Sequence, residues 1–291
     1  MFADRLIEAT RQLGPLCVGI DPHAGRIPEL FGGDTPAGIA AWGMSMVDMA
    51  KGRVAIVKPQ AALFERHGPE GMAALQAVAA RAREAGLLVL MDAKRGDIGS
   101  TAEGYARAYL EEDSPFQSDC LTLNPYMGLD TLEPYLSRAE ENGKGIAVLT
   151  RTSNPGSADF QALNCGNTPL WAQVATALGP ASARLMGRSG WSSLMLVAGA
   201  TGPAEARILR ELAPEALFLV PGYGAQGAGV DEALAGFVDG PQGLEGGVVS
   251  ASRSVSFPPA AQSAERFDDW QAAIADAIDS AQAELKTATS A

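Results

Sequence analysis

Short apolar runs recur along this chain, and between them lie longer stretches in which apolar residues return every three or four positions. The runs are 16–21 (LCVGID), 54–58 (VAIVK), 87–91 (LLVLM), 120–123 (CLTL), 145–150 (GIAVLT), 194–198 (LMLVA), 216–220 (ALFLV) and 247–250 (GVVS). Each is short enough for a strand buried on both faces. The spacing between them predicts helices over 3–13, 36–50, 69–85, 100–112, 129–141, 203–212, 230–237 and 262–286. Phe2, Leu6 and Leu13 share one face of the first. Phe267, Trp270, Ile274, Ile278 and Leu285 share one face of the last, and the tail from Thr287 is expected to fray. Thr35-Pro36 reads as a helix N-cap followed by proline at the first helical position. Thr168-Pro169 opens a further helix marked by Trp171, Val174 and Leu178, inside a segment of about 40 residues with no clear strand.

Purely apolar strands alternating with amphipathic helices imply a parallel sheet covered by helices. Eight such units imply a (β/α)8 TIM barrel, expected as one domain over residues 1–291. The competing arrangement is an open doubly wound sheet. It would carry G-x-G-x-x-G after the first strand, where this chain has Gly19-Ile20-Asp21.

Charge refines the picture. A net charge of -12 and a pI near 4.7 argue against a nucleic-acid surface. An acidic chain that binds an anion must gather its cations locally. No apolar run approaches the ~18–20 residues of a membrane span, and MFADRLIEATRQL lacks the apolar core of a signal peptide. The expectation is a cytoplasmic enzyme with no nucleic-acid or membrane partner. Cys17, Cys120 and Cys165 have no C-x-x-C spacing, and two of them lie in apolar runs, so they read as free thiols. His23 and His67 are too few for a histidine-rich metal site.

The candidate chemistry stands where the apolar runs end, because barrel enzymes build their sites at the carboxyl ends of the strands. The first run ends in Asp21, the second in Lys58, and the third in Asp92, Lys94 and Asp97. If the third strand continues through Lys94, period-two alternation puts Asp92 and Lys94 on one side. Asn124 closes the fourth run, and Thr152, Ser153 and Asn154 follow the fifth. A lone charge at a strand end is usually a solvated loop start. Acids and bases alternating on three consecutive strands need one another, since an unpaired buried charge is strongly unfavourable. An Asp21–Lys58–Asp92–Lys94–Asp97 chain meets that need. The last two strand ends carry a second signal. Gly222, Gly224 and Gly227 leave backbone N–H groups open to an anion, and Arg253 offers a bidentate fork for phosphate oxygens.

The stretch Leu87 to Thr101, LLVLMDAKRGDIGST, resembles the orotidine 5'-phosphate decarboxylase family in its longer bacterial form (type 2). The resemblance covers nearly the whole chain. It implies a barrel that converts orotidine 5'-phosphate to UMP in pyrimidine biosynthesis with no metal and no cofactor. It implies that Asp21 contacts the ribose and that Lys58 belongs to the charged network. Asp92 and Lys94 would form the pair at the reacting carbon, with Lys94 protonating the carbanion left after loss of CO2. Asp97, Ile98 and Thr101 would reach into a neighbouring subunit's site, making a homodimer with shared sites. Ser153 would contact the pyrimidine, and Gln226 and Arg253 the phosphate. Pro59-Gln60, Ser252-Arg253-Ser254 and the long segment after the fifth strand depart from the shorter form of the family. Two alternatives stand beside this reading. One is a Mg2+-dependent phosphosugar enzyme of the same superfamily, which Lys58 disfavours. The other is a catalytically silent nucleotide sensor.

Overall fold

The computed structural model describes residues 1–224 and 227–290. All eight apolar runs become the strands of one closed parallel barrel. They are β1 (Leu16–Ile20), β2 (Ile56–Pro59), β3 (Leu88–Arg95), β4 (Cys120–Leu123), β5 (Gly145–Arg151), β6 (Ser192–Ala198), β7 (Ala216–Pro221) and β8 (Gly247–Ala251). Neighbours in the barrel are neighbours in sequence, and β8 closes on β1 through Leu16, Cys17 and Val18. The expected TIM barrel is observed, and the doubly wound sheet is not.

Period-two alternation divides the strand residues between two cores. Cys17, Leu90, Cys120, Met195, Leu217 and Val248 fill the barrel interior. Leu16, Val18, Leu121, Leu196, Phe218 and Val249 face the surrounding helices, where they meet Trp42, Leu75, Tyr135 and Trp270. The helix Phe2–Leu13 plugs the amino end of the barrel with Phe2, Ala3, Leu6 and Ile7. The carboxyl end stays open.

Some boundaries differ from expectation. The C-terminal helix does not begin at 262. A short helix, Pro259–Gln262, is followed by a break, and the long helix runs Phe267–Thr289. Asp268 and Asp269 in its first turn complement the helix dipole and mark the true start. Nor does the chain fray from Thr287. Thr289 is buried, because the last turn packs on a hairpin, Val238–Gly240 with Gly243–Glu245. A Cβ at Gly243 would collide with the Thr289 carbonyl. Of the expected helix 230–237, only Val230–Ala233 forms, followed by a turn that leads into that hairpin. The segment after β5 holds a helix (Ser157–Phe160), a small hairpin (Asn164–Cys165 with Thr168–Pro169) and two helices, Leu170–Ala177 and Gly179–Arg184. A short helix, Ala61–Glu65, also follows β2.

Candidate active site

Asp21 stands just past β1, Lys58 on β2 and Asp92 on β3, all buried at the carboxyl end of the barrel. Lys58 Nζ lies 2.9 Å from Asp92 Oδ2 and 3.8 Å from Asp21 Oδ1. Lys94 Nζ lies 2.6 Å from Asp92 Oδ1. Four charges of alternating sign thus form a neutral chain, Asp21–Lys58–Asp92–Lys94. The third strand does continue through Lys94, but not as a regular strand. Its register with β4 shifts between Met91 and Arg95, and Lys94 takes a left-handed φ of 47°. That conformation costs a side-chain-bearing residue about 1–2 kcal/mol. The Lys94 N–H donates to Thr122 Oγ1 at 2.8 Å, which offsets part of the strain.

Two uncharged side chains complete the surroundings of Asp92. Thr122 Oγ1 donates to Oδ1 at 3.0 Å, and Gln60 Nε2 donates to Oδ2 at 3.0 Å. Each carboxylate oxygen therefore accepts two hydrogen bonds. Burial alone would raise the Asp92 carboxyl, but the Lys58 and Lys94 ammonium groups outweigh it and hold it well below the usual carboxylate range. Burial would likewise discharge Lys58. The facing charges of Asp21 and Asp92 win and raise it above the ordinary lysine value. Beneath them, burial pushes the Cys17 thiol up to about 12, so it stays protonated.

The network forms one wall of a cavity of about 580 Å3. Lys94 reaches this space with 47% of its side chain exposed. Leu149, Val197 and Leu219 give it an apolar floor. Ser153 and Arg253 line it too. Gly222 has φ 105°, and a Cβ there would stand 3.2 Å from Ser153 Cβ, so glycine is needed both for the turn and for the close approach. His23 also faces the cavity. Burial keeps its pKa below the ordinary imidazole value, Asp21 opposes this, and Arg253 and Arg26 add to it. Asp21 Oδ1 is a buried acceptor with no hydrogen-bond partner.

The structure does not bring every expected residue to this wall. Asp97 lies past the end of β3, where its Oδ1 accepts from the Ile98 N–H at 2.8 Å, and it does not line the cavity of its own chain. Ile98 is 62% exposed and Thr101 is exposed, both away from the cavity. Asn124 accepts from the Tyr126 N–H at 3.0 Å and also stands outside. Gln226 lies outside the described residues. Gln60 and Thr122 were not singled out in the sequence as Asp92 partners, yet parity could have found them. Gln60 follows Lys58 by two positions, and Thr122 follows the inward-facing Cys120 by two.

Comparison with known proteins agrees with this geometry. Residues 14–240 match the model of the orotidine 5'-phosphate decarboxylase / HUMPS family. The chain is 48% identical over 160 residues to an orotidine 5'-phosphate decarboxylase from Streptomyces coelicolor, covering 55% of this chain and 58% of that protein. The chain thus spans little more than half the length of that relative in the match. It is 37% identical over 293 residues to an orotidine 5'-phosphate decarboxylase from Rhodopirellula baltica, covering 94% of this chain and 95% of that one. A crystal structure of a candidate orotidine 5'-phosphate decarboxylase from Streptomyces avermitilis superimposes with a TM-score of 0.83 at 37% identity, covering 100% of this chain and 96% of that one. With the barrel, the alternating charges at its mouth and these matches together, the chain belongs to the orotidine 5'-phosphate decarboxylase / HUMPS family.

Proposed function

We propose that this chain decarboxylates orotidine 5'-phosphate to UMP and CO2, a step of pyrimidine biosynthesis. The observation that carries the reading is the alternating quartet, ending in a half-exposed Lys94 at a cavity that Arg253 also lines. Asp92 already accepts two hydrogen bonds on each oxygen and is held ionised, so a substrate carboxylate brought beside it is repelled. Cleavage of the bond to CO2 removes that repulsion and leaves an electron pair on the pyrimidine carbon. The Lys94 ammonium stabilises this carbanion as it forms and then gives it a proton. The resulting amine is open enough to recover a proton from water.

The remaining groups suit the rest of the substrate. The unpartnered Asp21 Oδ1 would accept a hydrogen bond from a ribose hydroxyl. Ser153 would meet the pyrimidine, and Arg253 with Gln226 the phosphate. No step calls for a metal or cofactor. The Lys58 ammonium already stands between Asp21 and Asp92, where a cation would otherwise bridge them.

We further propose a homodimer, acting in the cytoplasm, in which Asp97, Ile98 and Thr101 complete the partner's site. The exposed apolar residues near them support this. Tyr126 is 85% exposed, Met127 and Leu129 are exposed as well, and the Met127 methyl lies 3.8 Å from where a Gly96 Cβ would stand.

The direct test follows the orotate chromophore when purified protein meets orotidine 5'-phosphate with EDTA present. Its loss, with UMP formed, is the expected result. Activity only after Mg2+ is added would assign the site to the metal-dependent relatives. The dimer is tested by mixing Asp97→Ala with Lys94→Ala subunits. Each is expected to be inactive alone, and the mixture should recover part of the activity once subunit exchange is verified; no recovery would refute the shared site.

A further inference from the structure

The segment between β5 and the helix Leu170–Ala177 is not a passive insertion. Its Gln161 side chain bonds directly to the turn after β5. Gln161 Oε1 accepts from the Thr152 N–H at 2.9 Å, and its Nε2 donates to Thr152 Oγ1 at 2.8 Å. The Thr152 hydroxyl in turn donates to Asn154 Oδ1 at 2.7 Å. A single amide therefore engages both the N–H and the hydroxyl of the residue before Ser153. Gln161 is itself fixed from behind, because its carbonyl accepts from the N–H of the buried Trp171 at 3.0 Å.

The other ties to this turn leave Ser153 little freedom. Arg151 Nη1 donates to the Thr152 carbonyl at 2.9 Å, and Thr201 Oγ1 donates to the Ser153 carbonyl at 3.2 Å. Gly199 packs so close that a Cβ there would stand 2.8 Å from Ser153 N. Two ties to the turn come from the segment 157–169: the Ser157 N–H donates to the Asn154 carbonyl at 3.1 Å, and the Gln161 amide is the side-chain tie. Gln161 also lines the cavity.

We propose that Gln161 is a positioning residue for the Thr152–Asn154 turn, through which the segment 157–169 sets recognition of the pyrimidine base. This rests on the reading above, in which Ser153 meets the base. The consequence is selective. Loosening the turn should weaken contact with the base and leave contact with the ribose phosphate, which other strand ends provide, unchanged.

The experiment compares Gln161→Ala, Gln161→Glu and Thr152→Val with the wild type, each first shown to be folded by its thermal transition. Calorimetric binding of UMP and of ribose 5-phosphate is measured for all four. In Gln161→Ala the affinity for UMP should fall about tenfold or more, with that for ribose 5-phosphate within twofold of wild type. Gln161→Glu keeps an acceptor for the Thr152 N–H and should recover part of the loss. Thr152→Val removes only the hydroxyl and should lose less than Gln161→Ala. Equal loss of both ligands, or no loss of either, would overturn the proposal. Hydrogen exchange at the Thr152 amide in the unliganded protein gives a separate readout. It should speed up in Gln161→Ala, and unchanged protection would refute the positioning role whatever the ligand. Wild-type protein that binds ribose 5-phosphate but not UMP would instead refute the reading of the substrate.

Discussion

At the amino end of the barrel Asp119 accepts from the Val89 N–H at 2.9 Å and faces Arg5 at 2.8 Å and Lys144 at 3.8 Å. Nearby, Arg11 grips Glu245 with two hydrogen bonds, and the Trp191 indole adds a third. Arg210 directs its guanidinium at the carbonyls of Gly236, Ala213, Pro214, Ala216 and Gly246, stacked on Phe218 and Trp191. At the carboxyl end the same residue types behave differently. Asp92 is saturated, but Asp21 keeps a buried oxygen without a partner, and Lys94 leaves much of its side chain in an open cavity. Trp42, Trp270 and Tyr135 also bury unpartnered polar atoms, yet these are neutral and stand outside this cavity. Burial of charge therefore does not mark a functional site. A charge network that is closed on one side and unfinished toward a cavity does.

That contrast is sharpest when one charge is removed from each end. Lys94→Ala should lower kcat by about 10^4-fold or more, because it removes both the proton donor and the cation beside the developing carbanion. Its thermal transition should stay close to wild type, since the side chain is half exposed. Near-wild-type kcat would sink the assignment. Asp119→Ala should do the reverse. It removes the carboxylate paired with the buried Lys144 and leaves the Val89 N–H without its acceptor, so urea denaturation should report a loss of about 3–5 kcal/mol. The kcat and KM of the protein that remains folded should not change. A large kcat effect there would mean that the two ends are coupled and the contrast is false.

What the sequence made legible follows the same division. The eight strands could be read because a strand buried on both faces must be apolar along its whole length, and each run here is bounded by charge, glycine or proline. Asp21, Lys58, Asp92 and Lys94 could be read because they close consecutive runs with alternating sign. Other features depend on contacts far apart in the chain. The left-handed Lys94 is held by Thr122, 28 residues away. Thr289 stays ordered because a hairpin more than 40 residues earlier meets it. Asp97 looked continuous with the quartet in the sequence, but the chain turns away after Gly96, and no spacing rule separates a site-forming residue from one aimed at a neighbour. Gln161 lies in a segment with no apolar run to give it a direction.

Acid should test Asp92 at the carboxyl end. The folded pKa of Asp92 is depressed, so its contribution to stability is fully present above the unfolded value near ~3.9 and is lost as pH falls below it toward the folded value. In Asp92→Asn this component of the acid limb should disappear, and the variant should lose less of its own stability between about pH 5 and pH 2 than wild type does. Urea titrations across that range measure it. An acid limb of unchanged slope would show that Asp92 is not held in its ionised form.

The smallest expected effect lies at alkaline pH, where the two ends should respond with opposite sign. The folded pKa of Lys58 is raised by its flanking acids. Its stabilisation is present below the unfolded lysine value near ~10.4 and is lost as pH rises through the folded value. Burial instead lowers Lys144, with Asp119 opposing it only in part. Between its folded and unfolded values the unfolded chain binds more protons there, so Lys144 makes stability rise with pH. The two act together with opposite sign around that unfolded value, from about pH 10 to pH 11. Lys144→Met removes the rising component, so the variant should lose stability more steeply across that interval. Urea midpoints at half-unit steps measure the slope. If Lys144→Met flattens the alkaline limb instead, Lys144 is paired as strongly as Lys58, and the amino end holds its charge by the same means as the active site.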